Sequence, residues 1–196
     1  MNDALNAIRD EHHSLATILH ALRDLVARIR DGRAGPDFDG LRAMLYYLDG
    51  FSSRLHHPQE DELLFQPLRE RGGEAAALVD DLEREHARVA EAMRSLEQAL
   101  LRYEEGGARE FVAFATAVEG LCAFYLQHMR KEEMLALPLA EKLFGAQQWA
   151  RIEAARAGAD ARRGGLDEGE EFRRLFRRIV GANPAPQGAA AAAAQP

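Results

Sequence analysis

The stretch Phe111 to Leu139, FVAFATAVEGLCAFYLQHMRKEEMLALPL, decides the fold of this chain. It is rich in alanine and leucine, and its larger apolar side chains recur at alternating intervals of three and four positions. That spacing places them along one face of a helix, which predicts a seam facing a hydrophobic core. A histidine and a glutamate interrupt this seam, which runs through Phe111, Phe114, Val118, Leu121, Tyr125, His128, Glu132, Leu135 and Leu139.

Three other long stretches carry seams of the same kind, and glycine and proline separate them at 31–37, 71–73 and 104–108. The first seam is Leu5, Ile8, His12, Leu15, Leu19, Leu22, Val26 and Ile29. The second is Leu41, Leu45, Leu48, Ser52, His56, Glu60 and Leu63. The third is Leu78, Leu82, His86, Val89, Met93, Leu96 and Leu100. These patterns predict an all-α protein, with an antiparallel up-down four-helix bundle over residues 1–145.

The last quarter of the chain, from residue 146 onwards, has a different pattern. Residues 146–180 predict a short helical extension, with one helix over 147–157 and a second, amphipathic one over 167–180, separated by glycines at 164–165. Trp149 and Ile152 can dock on the bundle. The apolar face of the second helix either packs back on the bundle or joins two chains, so we expect a monomer or a homodimer. The Ala/Pro-rich tail, 181–196, should be disordered.

Two short strings repeat the interruption of the seam: residues 56–61, HHPQED, and residues 128–133, HMRKEE. In each, a glutamate follows a histidine by four positions, a spacing that turns about 40° and rises about 6 Å on a helix. Both side chains therefore reach the same point from one face. The first and third helices each add one seam histidine, which gives six predicted metal ligands: His12, His56, Glu60, His86, His128 and Glu132.

These six side chains interrupt four core seams at similar depth and in the same order in both halves of the chain. An ionised carboxylate inside a bundle costs several kcal/mol unless a positive charge compensates it. No lysine or arginine stands on a seam to do so, whereas two metal cations would. Imidazole and carboxylate without thiolate suit iron, and also manganese or zinc. The pattern predicts two ions, each capped by two histidines and bridged by glutamates, with room for an oxo or hydroxo bridge and an external ligand.

A second pair of residues competes for the ligand role on the second helix. His57 and Asp61 repeat the four-residue spacing one step round the helix. We favour His56 and Glu60 because they continue the seam, and we expect His57 and Asp61 to lie at the surface or to support the ligands. Pro58, which lacks an N–H, either kinks this helix at the site or is tolerated there.

Other polar residues beside the seams are expected to have secondary roles. His13 and His20 should be solvated or flank the seam rather than bind metal. Glu11 and Glu133 should face solvent or orient a ligand histidine. Tyr125 is expected to be a core aromatic residue with its hydroxyl hydrogen-bonded; the alternative is that it donates to a ligand held by the metal.

The composition of the whole chain excludes several classes of protein. The net charge is −7 and no basic patch is present, which argues against a nucleic-acid partner. No apolar run approaches the length of about 18 residues that a membrane span needs. The first residues, MNDALNAIRDEHHS, lack the apolar run of a secretory signal. Cys122 is the only cysteine, and we expect an inert buried thiol. These features predict a cytoplasmic protein.

The chain also carries four longer motifs: IRDEHHSL at 8–15, HHPQEDELLF at 56–65, LEREH at 82–86 and HMRKEE at 128–133. Together they resemble the hemerythrin-like (HHE cation-binding) family, and the resemblance covers about residues 3 to 145. It implies a four-helix bundle with a non-haem di-iron centre. The positions that match the family's ligands are the same six residues that the seams predict.

The resemblance implies a protein that binds O2, NO or peroxide, or that holds labile iron. The oxygen carriers of the family have a further histidine one turn before the third-helix ligand, where this chain has Leu82. This departure resembles the four-histidine, two-glutamate branch, linked with iron–sulfur repair and nitric oxide or redox sensing, and it predicts a more open metal. The alternatives are a di-iron enzyme (peroxidase, oxidase or NO reductase) and a structural zinc-binding bundle. The chain has no flavin or nicotinamide motif, which favours binding over catalysis.

Overall fold

The structure, a computed structural model, describes residues 3–162 and 168–182, and every regular element in these ranges is a helix. The bundle consists of four helical stretches, which confirms the predicted all-α class. They are α1 (Asp3–Arg30), α2 to α4 (Phe38–Phe51, His57–Glu60 and Gln66–Arg69), α5 (Gly73–Gly106), and α6 to α7 (Phe111–Lys131 and Leu137–Leu143). None of the helices described is long and apolar enough to cross a lipid bilayer.

Each bundle stretch packs on two neighbours. Helix α1 contacts α2 and α6, and α5 contacts the same two helices from the other side. Short connections join successive stretches, so that neighbours run antiparallel, as predicted. Asp37 caps the start of α2, because its carboxylate accepts the Gly40 N–H at 2.9 Å. Gly72 and Gly73 have φ angles of 72° and 55°, a left-handed turn that only glycine adopts without strain.

Two hydrophobic clusters fill the bundle, one on each side of the predicted site. All four stretches contribute to both clusters. Along α1, for example, Ile8 belongs to the smaller cluster and Leu15 to the larger one, and the predicted ligand His12 lies between them. The polar residues therefore form a layer across a core that is otherwise apolar.

Three wide turns interrupt the regular helices next to the predicted ligands. In each, a backbone N–H donates to the carbonyl five residues back, and a proline follows the donor. The bonds run from His57 to Ser52, from Gln66 to Asp61 and from Leu137 to Glu132. The prolines are Pro58, Pro67 and Pro138. Because proline has no N–H and its ring displaces the carbonyl four residues back, a wider turn accommodates it.

The wide turns also shift the buried face by one residue. The sequence predicts that Leu135 and Leu139 follow Glu132 on the buried seam. The prediction for Leu135 is wrong, because this residue is 51% exposed. Ala136 and Leu137 are buried instead. The extra residue in the turn advances the register, which a strict alternation of three and four cannot anticipate.

Two shorter helices, α8 (Ala146–Arg162) and α9 (Glu168–Ala182), follow the bundle. Ile152 is buried and Trp149 is partly buried against the smaller cluster, as predicted. Helix α9 buries Phe172 and Ile179 in the larger cluster. Its apolar face therefore packs within the chain. The predicted break at 164–165 and residues 183–196 of the predicted tail lie outside the described residues.

Phe172→Ala tests the contribution of α9 to the core. The Phe172 ring is 1% exposed and lies 5.8 Å, between centroids, from both Tyr47 and Phe51. Its truncation leaves a cavity and should lower the free energy of unfolding by about 3 kcal/mol. Leu101→Ala, at an exposed position on α5, is the control and should cost less than about 0.5 kcal/mol. Chemical denaturation followed by circular dichroism measures the stability of both variants. If Phe172→Ala is as stable as Leu101→Ala, α9 does not contribute to the core.

Candidate metal centre

All six predicted ligands lie together inside the bundle, and each residue is at most 8% exposed. The imidazole rings form two pairs. The centroids of His12 and His56 are 4.9 Å apart, and those of His86 and His128 are 4.8 Å apart. One pair comes from the first half of the chain and the other from the second half. Each half of the sequence repeat therefore supplies one imidazole pair.

The Glu60 carboxylate lies between the two imidazole pairs. Its Oε1 atom is 3.4 Å from Nε2 of His12. Its Oε2 atom is 3.5 Å from Nε2 of His56 and 3.6 Å from Nε2 of His86. One carboxylate therefore reaches imidazoles of both halves.

The Glu132 carboxylate makes the matching contacts from the opposite helix. Its Oε2 atom is 3.2 Å from Nε2 of His12. Its Oε1 atom is 3.5 Å from Nε2 of His86 and 3.1 Å from Nε2 of His128. With one carboxylate from each half reaching across both imidazole pairs, the arrangement has the approximate twofold symmetry that the repeat predicts.

The inward atoms of this cluster have no hydrogen-bond partner. A buried polar atom without a partner costs about 1–3 kcal/mol, and more if it is charged. A cluster of such atoms is therefore costly unless cations lie among them, and nitrogen and oxygen donors without sulfur suit iron, manganese or zinc. The residues thus fit the metal ions expected from the sequence. The unpartnered atoms are Nε2 of His12, His56, His86 and His128, and both Oε atoms of Glu60 and Glu132.

The outward nitrogen of each imidazole does have a partner. Every Nδ1–H donates to a carboxylate, which fixes the tautomer and turns the Nε2 lone pair towards the centre of the site. The four bonds join His12 to Glu133 (2.9 Å), His56 to Glu11 (2.9 Å), His86 to Asp61 (3.1 Å) and His128 to Glu85 (2.9 Å).

These four hydrogen bonds link the four helical stretches in a closed cycle. In each bond, the carboxylate is the sequence neighbour of a candidate ligand on one stretch, and it accepts from the histidine of the following stretch; the fourth stretch connects back to the first. Each stretch therefore holds the histidine of the next one. Of the two roles expected for Glu11 and Glu133, the structure shows the hydrogen bond to a candidate ligand histidine. The same role of Glu85 was not predicted. The repeat carried the signal, since Glu-His occurs both at 11–12 and at 85–86.

Burial and neighbouring charges compete in setting the pKa values of the cluster. Burial lowers the pKa of His86, but nearby carboxylates, Asp61 first, raise it to about 11 overall. Burial raises the pKa of Glu132, but the surrounding imidazoles, His12 first, lower it well below its usual value. Without a metal, protons on His12, His86 and His128, whose pKa values are all raised, therefore balance the buried carboxylates.

His57 does not lie at the surface, which was one of the two positions expected for it. Its side chain is 9% exposed, and its ring stacks on His86 with centroids 3.8 Å apart. Burial, with His86 and His56 nearby, lowers the pKa of His57 to about 2. Asp61 supports His86, the other role that was considered for these two residues.

The remaining polar residues follow the expectations. His13 and His20 are exposed. The Tyr125 hydroxyl is buried and hydrogen-bonded to Ser52 and to Nε2 of His57. Cys122 is buried, and burial raises the pKa of its thiol to about 12, which makes it a poor nucleophile.

The fold and the site together define a cation-binding four-helix bundle. The chain belongs to the hemerythrin family: the family's sequence profile, described as the hemerythrin HHE cation binding domain, matches residues 3–140. No curated protein and no solved structure matches the chain. Membership and the cluster of histidines and glutamates support metal binding.

Glu85→Gln tests the ring of carboxylates. Glutamine keeps the size of the side chain but removes the charge that orients His128, and such a change should lower metal affinity by about 10- to 100-fold. Glu91→Gln, at an exposed position on the same helix, is the control. Competition with a chelator of known affinity measures both variants. If Glu85→Gln and Glu91→Gln bind the metal with equal affinity, Glu85 does not orient His128.

The raised pKa of His86 predicts a pH dependence of metal binding. Protons held by the imidazoles compete with the metal, so affinity should rise as the pH is raised from about 6 to about 8, with release of protons. Isothermal titration calorimetry in two buffers of different ionisation enthalpy measures the number released. The same binding heat in both buffers would show that no proton leaves.

Proposed function

We propose that this chain holds two iron ions between the two imidazole pairs, and that it binds a small ligand such as O2, NO or peroxide there, or stores labile iron. His12, His56, His86 and His128 would be terminal ligands, and Glu60 and Glu132 would bridge. When bound, two iron ions supply coordination positions for a diatomic ligand and the exchange of single electrons.

The observation that carries this proposal is the convergence of unpartnered buried atoms. Four imidazole nitrogens and four carboxylate oxygens face one another without a hydrogen bond among them. The separations of 3.1–3.6 Å between imidazole nitrogen and carboxylate oxygen are those expected for ligands that share a cation. The two carboxylates each reach both imidazole pairs, which favours two bridged ions over two separate ones.

The protein around the site favours a small external ligand. Hydrophobic clusters enclose the polar layer on both sides. His12, His56, His128 and the two glutamates are at most 2% exposed, whereas His86 is 8% exposed. A ligand would therefore approach past His86, and only a molecule of a few atoms could reach the layer without separating the helices.

Glu132→Ala tests the assignment of the iron ligands. Protein purified from iron-replete cells should contain two iron ions per chain and absorb visible light. The variant should lose most of its iron, because a bridging carboxylate and its charge are removed. Glu141→Ala, at an exposed position on α7, is the control and should keep both ions. Unchanged iron content in Glu132→Ala would refute the assignment.

The same preparation separates the alternatives. A spectrum that responds to O2 or NO without turnover supports ligand binding. Steady consumption of peroxide or NO with a supplied reductant would identify a di-iron enzyme instead. A colourless protein with stoichiometric zinc would contradict the iron proposal and favour a structural role.

A further inference from the structure

His57 belongs to the site although it is not one of the six family positions. It follows His56 in the chain but lies against the other imidazole pair. Its ring is nearly parallel to that of His86, with an angle of 14° between the planes and 3.8 Å between the centroids. It meets the His128 ring edge-on at a centroid distance of 6.0 Å. One ligand atom from each of the three imidazoles lies within 4.8 Å of the others.

The wide turn at Ser52–His56 explains how two adjacent histidines both face inwards. In a regular α-helix, neighbouring side chains diverge by about 100°. The bond from the His57 N–H to the Ser52 carbonyl spans five residues, and the wider turn reduces that divergence. Pro58 follows directly and keeps the turn wide, because it cannot donate to the carbonyl four residues back.

A buried chain of hydrogen bonds holds the His57 ring. The Ser52 hydroxyl donates to the Leu48 carbonyl at 2.6 Å, so its oxygen accepts the Tyr125 hydroxyl proton. The Tyr125 oxygen must then accept from Nε2–H of His57, at 3.2 Å. An imidazole that donates from Nε2 carries its lone pair on Nδ1. His57 is therefore an imidazole of defined tautomer, with a lone pair to offer a cation.

We propose that His57 is a seventh protein ligand, which binds the metal ion held by His86 and His128. This inference rests on the proposed di-metal function. Imidazole nitrogens bind metals at about 2.1 Å, so two nitrogens on one ion are at most about 4.2 Å apart. Atoms within 4.8 Å of one another can converge on one ion. An ion lies in the plane of each imidazole that binds it, so the His57 ring must also turn out of its parallel stack on His86.

The two metal positions would then be unequal. The ion at His86 and His128 has three imidazoles, whereas the ion at His12 and His56 has two. The openness predicted from Leu82 is thereby reduced at the ion of His86 and His128, and the ion of His12 and His56 has the fewer protein ligands.

Anaerobic titration of the metal-free protein with Fe2+ tests the proposal, with isothermal titration calorimetry as the readout. The parent should bind two ions. His57→Gln, which can still donate to Tyr125, should lower the affinity of one ion by about tenfold or more and leave the other unchanged. The control is His13→Gln, since His13 is an exposed histidine beside the candidate ligand His12. It should match the parent.

The outcomes separate the two claims. A parent that binds no pair of ions contradicts the proposed function itself. A parent and a His57→Gln variant that bind two ions with equal affinity overturn the seventh ligand alone. If His57→Gln does not fold, a crystal structure of the iron-loaded parent decides the question. A His57 nitrogen within about 2.3 Å of iron supports the proposal, and one beyond about 3 Å contradicts it.

Discussion

The burial of two ionised carboxylates is the constraint on which the rest of this structure depends. Glu60 and Glu132 are at most 1% exposed, and no lysine or arginine contacts either one among the described residues. Such charges destabilise a fold unless opposite charge lies beside them. Here four imidazoles surround them, and in the metal-free protein the raised pKa values of His12, His86 and His128 let protons on these three rings supply the balance. Metal ions can replace these protons at the same atoms, because the Nε2 atoms already face inwards.

The rigidity of the site comes from the backbone and from the outer carboxylates together. Wide turns at Ser52–His56 and Glu132–Ala136 lie at the candidate ligands, and a proline follows each of them. The four Nδ1–H bonds then close a ring in which every bundle stretch supports the histidine of the next. A movement of one stretch would therefore disturb two imidazoles, which couples the site to the packing of the whole bundle.

Much of the fold and of the candidate site could be predicted from the sequence, because seams of leucine broken by histidine and glutamate are periodic. The periodicity fails where the helix itself is irregular. Leu135 is exposed and Ala136 is buried because a wide turn adds a residue, and His57 is buried beside His56 for the same reason. Glu85 was not predicted, although Glu-His at 85–86 repeats Glu-His at 11–12. Which histidine each of these carboxylates meets, more than 40 positions away, is defined only by the packed helices.

The central claim is that four imidazoles and two carboxylates enclose a bridged pair of iron ions. The most direct measurement is the Mössbauer spectrum of protein loaded with 57Fe and oxidised, recorded in an applied magnetic field. The account predicts that nearly all the iron belongs to magnetically coupled pairs with a diamagnetic ground state, because bridging ligands couple the two ions. A spectrum of isolated, paramagnetic iron would contradict it.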